Sequence, residues 1–174
     1  MRKALYFLGI LNDADIDWLV AAGSRREVGS GSKLIEEGRR IDSVYLVIDG
    51  AFSVRTAALG GREVARLLSG EVMGEMSFVD NAPPSATVVA LEPSLVLDVP
   101  RRRLNAKLAE DPAFGARFYR ALAMSLAARL RHSVAALAGG SAMEAEGEMG
   151  FDALDNVSMA GARFDWIQRR LRSE

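Results

Sequence analysis

The chain opens with apolar residues at helical spacing: Leu5, Leu8 and Leu11, then Ile16, Leu19 and Val20. Recurrence every three or four residues predicts two short helices within residues 1–22. The second starts near Ala14, with Asn12 or Asp13 as its cap. From Glu27 to Val99 the texture changes to short β-rich runs divided by glycine: KLIEEG, SVYLVIDG, AFSVRTAALGG, REVARLLSG, SATVVALEP and SLVLDVP. Asp49-Gly50 and Gly60-Gly61 sit where hairpin turns need φ > 0, which glycine adopts without steric cost. The pattern predicts a mainly β fold with flanking helices, an antiparallel β-roll or jelly roll over residues 27–99.

After Pro100 the helical period returns. RRRLNAKLAE reads as a short helix, and Asp111-Pro112 supplies a cap and a first-turn proline for a second one. That second helix, predicted over residues 112–137, carries Phe118, Leu122, Leu126, Leu130, Val134 and Leu137 along one side, for packing on the barrel or on a second copy of the chain. Residues 1–137 therefore form one unit: helices in 1–22, a roll at 27–99 and two C-terminal helices in 100–137. Residues 138–150, AGGSAMEAEGEMG, have no periodicity and read as a flexible acidic linker. Residues 151–174 form an amphipathic tail with a helix near Ser158 to Leu171. Phe164, Ile167 and Leu171 share a face there, and Arg163, Arg169, Arg170 and Arg172 gather toward its end, which suits docking to a protein partner.

Composition narrows the chemistry. The chain has no cysteine and one histidine, His132, so disulfides, thiolate chemistry, zinc sites and histidine-based triads are not expected. No nucleophile–base pair can be assembled, and the expectation is a protein that is not an enzyme. A net charge of −1 gives no basic field to draw the chain onto nucleic acid. The stretch after Leu137 supplies one helix, where a winged helix-turn-helix needs roughly 60 residues, so DNA binding is not expected. There is no apolar run of roughly 18 residues and no leader with a cleavage site, which points to a cytoplasmic protein without a membrane span.

One stretch, GEMSFVDNAPPSATV at residues 74–88, has the frame of a small-molecule pocket. Gly74 precedes a helical start at Glu75, Met76, Ser77 and Phe78, whose first backbone N–H groups have no intrahelical partner. Glu75 would repel a bare anion but accept from a sugar hydroxyl, and Ser85 and Thr87 add donors from the returning strand. These residue types suit a phosphorylated sugar.

Four segments in order carry a family resemblance: LIEEG at Leu34 to Gly38, VYLVIDGAFSV at Val44 to Val54, SGEVMGEMSF at Ser69 to Phe78, and SATVVALEPSLVLDVPRRRL at Ser85 to Leu104. Over residues 5–135 the chain resembles the cyclic-nucleotide-binding domain family of bacterial catabolite activators and protein kinase A regulatory subunits. The resemblance implies a β-roll between N-terminal helices and two C-terminal helices, and a regulatory role without catalysis. It implies cyclic AMP or cyclic GMP as a dissociable ligand, no tightly bound cofactor, and a homodimer through the long helix 112–137. The pocket it implies comprises Gly74, Glu75, Met76, Ser77, Pro84, Ser85, Ala86 and Thr87. Glu75 falls at the carboxylate that holds the ribose 2′-hydroxyl, and Pro84 falls where relatives carry the arginine that clamps the cyclic phosphate.

That last position is a departure. No Lys or Arg occurs between Val72 and Pro100, and Pro84 lacks even a backbone N–H. A charge-assisted hydrogen bond contributes about 1.5–3 kcal/mol, and removing one buried charge partner costs about 2–5 kcal/mol. The expected affinity for a cyclic nucleotide is therefore about 10- to 1,000-fold below that of an arginine-bearing relative. Arg117, Arg120 and Arg129 lie on the long helix, and one of them swinging over the pocket would supply a substitute cation. Two readings stay open: a sensor with an atypical phosphate site coupled to its C-terminal helices, or a ligand-free interaction or scaffold module with a degenerate pocket.

Overall fold

The computed structural model describes residues 6–137 and 151–172, so the linker expected at 138–150 lies outside the described residues. Two short helices lead, α1 (Tyr6–Ile10) and α2 (Asp13–Ala22). Asn12 caps α2 reciprocally: the Asp15 N–H donates to Asn12 Oδ1 at 2.9 Å, and the Asn12 N–H donates to Asp15 Oδ2 at 3.0 Å. Eight strands follow: β1 (Ser24–Val28), β2 (Lys33–Ile35), β3 (Ser43–Asp49), β4 (Ala51–Thr56), β5 (Arg62–Leu68), β6 (Val72–Met73), β7 (Thr87–Ala90) and β8 (Ser94–Pro100). A short helix, α3 (Glu75–Asp80), separates β6 from β7, and α4 (Arg101–Glu110), α5 (Pro112–Leu137) and α6 (Phe151–Arg172) complete the chain.

The strands form two four-stranded sheets, in the orders β1-β8-β3-β6 and β2-β7-β4-β5, with every pairing antiparallel. The expected β-roll with helices at both ends is present, beginning at Ser24 rather than Glu27. Strand β3 shows why VYLVI is apolar without alternation. Val44, Leu46 and Ile48 face the helices, where they join Leu8, Leu11, Phe114 and Phe118. Tyr45 and Val47 face the interior of the roll, against Phe52, Met73, Val88 and Val96. A strand covered on both faces has no solvated side to mark with polar residues. At the turn after β3, Gly50 sits at φ 94°, and a Cβ there would lie 2.1 Å from Ser94 Oγ, so the Asp49-Gly50 hairpin requires glycine.

Helix α5 starts as its sequence specifies, with the Phe114 N–H donating to Asp111 Oδ1 at 2.9 Å. Its apolar row does not stay on one side. Phe118 and Leu122 are buried, whereas Leu130 and Val134 are 66% and 56% exposed. At 3.6 residues per turn each step of four advances about 40°, so a row spaced by fours winds from the buried face to the outer one. Helix α6 begins at Phe151, ahead of the Ser158 start expected from the sequence. Its Ala160, Ile167 and Leu171 are buried in the helical core, and the helix packs on α1 and β3. The apolar face of the tail is thus taken up by its own chain. Gln168 Nε2 donates to Ile48 O at 2.7 Å, and Arg172 pairs with Asp49 at 2.8 Å, tying α6 to the same β3 end. Among the described residues no helix is long and apolar enough to cross a membrane.

Candidate functional site

The segment from β6 to β7 is positioned by its glycine. Gly74 has φ +80°, and an added Cβ would lie 2.7 Å from Ile41 Cδ1 and 3.1 Å from Ser43 O. The chain therefore turns sharply against β3 before α3 begins. The Phe78 N–H donates to Gly74 O at 3.1 Å, and Asn81, at φ 65°, closes α3 with its N–H on Ser77 O. Phe78 is buried edge-on against Phe118 of α5, with centroids 5.8 Å apart. Arg101 at the start of α4 reaches back to Asn81 Oδ1 at 2.8 Å, and its guanidinium lies 5.6 Å from the Phe78 ring centre. Helix α3 is consequently anchored from both C-terminal helices.

Glu75 is the unusual group. Its residue is 2% exposed, and Arg129 from α5 donates to it from Nη1 to Oε1 at 2.5 Å. The same guanidinium donates from Nη2 to the Val72 carbonyl, and its Nε lies 3.9 Å from Glu71 Oε1. Burial pushes the Glu75 carboxyl above the ordinary glutamate range, and the adjacent Arg129 charge pulls against that rise without cancelling it. The carboxylate that would accept a sugar hydroxyl is therefore already bonded to the chain's own long helix.

The other expected site residues are placed unequally. Ser77 is buried beside Glu75 on α3, whereas Met76 is 53% exposed. Pro84 is buried, and its carbonyl accepts from the Gly38 N–H at 2.8 Å, which ties the loop to the turn after β2. Ser85 is exposed and Ala86 half-buried. Thr87 has another role: its hydroxyl accepts from the Glu37 N–H at 3.1 Å. Val88 and Ala90 turn into the roll, so strand alternation sends Thr87 to the opposite face.

Of Arg117, Arg120 and Arg129, the three considered as substitute cations, Arg129 reaches Glu75. Arg117 instead makes a two-point pair with Asp15, from Nε at 2.6 Å and Nη2 at 2.8 Å, and Arg120 is exposed. The identity of the Arg129 partner was not visible in the sequence, because 54 residues separate Arg129 from Glu75. The side of the helix was visible: Arg129 lies eleven residues, about three full turns, beyond the buried Phe118 and so returns to the same face.

Residues 25–111, half of the chain, match the cyclic nucleotide-binding domain. The chain belongs to the cyclic nucleotide-binding domain family. Among curated relatives, the Pycsar effector protein XpPycTIR of Xanthomonas perforans is 30% identical over 112 residues, which cover 64% of this chain and 36% of that protein. The chain thus spans about a third of that relative's length. A solved cyclic nucleotide-binding domain from Methylobacillus flagellatus overlays with a TM-score of 0.69 at 25% identity, covering 75% of this chain and 78% of that one. The regulatory subunit of a cAMP-independent protein kinase A from Trypanosoma brucei, solved as a triple mutant bound to cAMP in its A site, overlays with a TM-score of 0.55 at 25% identity. That overlay covers 62% of this chain and 40% of that one.

Proposed function

We propose that this chain is a non-catalytic regulatory sensor of the cytoplasm, whose pocket receives a cyclic nucleotide or a related phosphorylated ligand in an atypical phosphate site. The observation that carries the reading is the Glu75–Arg129 pair, which joins the sugar-accepting carboxylate to the long C-terminal helix. When a ribose hydroxyl donates to Glu75, it competes with Arg129 for the same oxygen. The released guanidinium stands beside the incoming phosphate, where it supplies the charge that Pro84 cannot. Exchange of one partner of Glu75 for another biases α5 between two positions, and that differential contact couples the ligand to the helix. The Trypanosoma mutant solved with cAMP gains an arginine by one of its three substitutions.

The output of the sensor runs through the C-terminal helices. Tyr119, Leu130 and Val134 on α5 are 47%, 66% and 56% exposed, and they form the seam for a second copy of the chain. The outer face of α6 provides a second docking surface, for a protein partner.

Titration calorimetry of cyclic AMP and cyclic GMP into the unmodified chain and Pro84→Arg tests the pocket. The variant places paired donors opposite the backbone amides near Met76 and Ser77, and affinity rises at least tenfold, about 1.4 kcal/mol. Glu75→Ala in the same background weakens it again. If Pro84→Arg stays without measurable affinity while circular dichroism shows a native fold, the loop has diverged in shape as well as charge. The ligand-free scaffold reading, favoured by Pro84 itself, then replaces the sensor.

A further inference from the structure

A half-open groove of about 370 Å³ runs between α2 and α6, and none of its lining residues belongs to the loop at 74–88. Its floor includes Ile16, which is 2% exposed. Along α6, Met159, Ala162 and Trp166 recur at helical spacing, with Met159 and Trp166 50% and 37% exposed and the small Ala162 leaving a gap between them. Asp13 and Asp17 line the α2 side. Arg163 donates to Asp13 Oδ1 at 2.7 Å and to the Leu8 carbonyl at 3.0 Å, so its charge is spent on Asp13 and the α1 end. Asp17, one helical turn further on, makes no ion pair among the described residues.

We propose that this groove receives a basic amphipathic helix of a partner protein, with one Lys or Arg side chain over the Trp166 ring and paired to Asp17, and an apolar residue seated on Ile16 beside Met159. The charge decides the sign of the partner. A neutral apolar occupant would strip water from Asp17 without replacing it, and an acidic one would be repelled. A cation instead meets both a carboxylate and an indole face. The setting decides the class: a half-open groove between two helices suits a third helix, whereas a small ligand needs walls that bury most of its surface. This inference rests on the tail's role as a docking element proposed above and is independent of nucleotide binding.

The test uses two dye-labelled synthetic helical peptides, one Leu/Lys and one Leu/Glu, titrated by fluorescence anisotropy into the full chain without nucleotide. The Leu/Lys peptide binds saturably, and raising the ionic strength weakens it. Asp17→Lys and Ala162→Trp, both at exposed positions, each raise its Kd at least tenfold while the circular dichroism spectrum is unchanged. Leu/Lys binding that survives both substitutions overturns the groove. Binding of the Leu/Glu peptide, insensitive to both substitutions, overturns the groove while leaving the tail's docking role standing. Absence of saturable binding by either peptide overturns both. Saturable spermine binding by calorimetry that Asp17→Lys abolishes, with neither helical peptide bound, overturns the partner helix in favour of a small organic cation.

Discussion

Helix α5 sends two arginines onto buried carboxylates, and the two pairs differ in what surrounds the acid. At the first, Asp15 is 3% exposed, and burial alone would raise its pKa. The two-point hydrogen bond from Arg117 and the Asn12 N–H outweigh burial and hold the Asp15 carboxyl below its ordinary value. At the second, Glu75 is as little exposed but lies more deeply enclosed, so burial weighs more heavily on it, and Arg129 meets it through a single donor and divides its remaining contacts between Val72 O and Glu71. Burial dominates there, and the Glu75 carboxyl lies above its ordinary value. The difference separates a strut from a latch. Arg117 closes a capping box that already existed and leaves Asp15 with its acceptors filled. Arg129 holds an acid whose environment resists its charge, and such an acid gains from a new donor.

Breaking the strut has the largest expected effect. Arg117→Ala leaves the Asp15 charge buried with the Asn12 N–H as its remaining donor, and because the Arg117 side chain is 32% exposed the cost is discounted to about 2–4 kcal/mol. Thermal denaturation followed by circular dichroism shows a drop of about 5–15 °C. A variant that melts with the parent would remove the strut from the account.

The pH dependence of stability sharpens the contrast, because the two acids act with opposite sign. Asp15 is depressed in the folded state, so its contribution is present above its ordinary 3.8 and is lost as pH falls through the folded value. Urea denaturation of Asp15→Asn accordingly shows a deficit against the parent that shrinks below that pH. Glu75 is raised, so the folded state holds a proton that the unfolded state has released, and stability falls as pH climbs through the window above 4.5. Glu75→Gln removes that loss, and its stability relative to the parent improves as pH rises. Parallel profiles for the two variants would contradict the distinction between the pairs.

The outer face of α5 gives the smallest effect on folding and a clear one on assembly. Leu130→Glu alters an exposed side chain, so its cost to the monomer is within about 0.5 kcal/mol. The expected result of sedimentation equilibrium is a homodimer for the parent chain and a monomer for the variant; a parent that sediments as a monomer refutes the seam.

Local signals were readable from the sequence, and long-range ones were not. Asn12 as one of two candidate caps for α2, Asp111 before Pro112, and the Asp49-Gly50 turn each specify geometry through neighbours; the structure uses Asn12 and has the other two as read, while the reciprocal bond from Asp15 was not anticipated. Strand β3 was identifiable as a strand, but its division between two cores depends on helices that arrive from both ends of the chain. The start of α6 was placed late because Asn156, Ser158 and Gly161 have weak helix preference and blur the period. The turn at Gly74 and the start of α3 at Glu75 were legible from the loop itself. Thr87 was expected in the pocket from its hydroxyl and from the resemblance; in the structure alternation along β7, set by Val88 and Ala90, turns it to the Glu37 N–H on the other face. That Arg129 rather than Arg117 or Arg120 meets Glu75 depends on how α5 packs on the roll; the spacing from Phe118 gives the face of the helix but not the partner.

A ligand on Glu75 is proposed to take the place of Arg129. The most direct measurement is the side-chain Nε–H resonance of Arg129, assigned with Arg129→Lys and followed by NMR while cyclic AMP is added to the unmodified chain. The expected result is a saturable shift of that resonance that follows the calorimetric binding curve, with the Arg117 resonance unmoved on Asp15. A pocket that saturates while Arg129 stays still, or a chain that takes up no cyclic AMP at millimolar concentration, would contradict it.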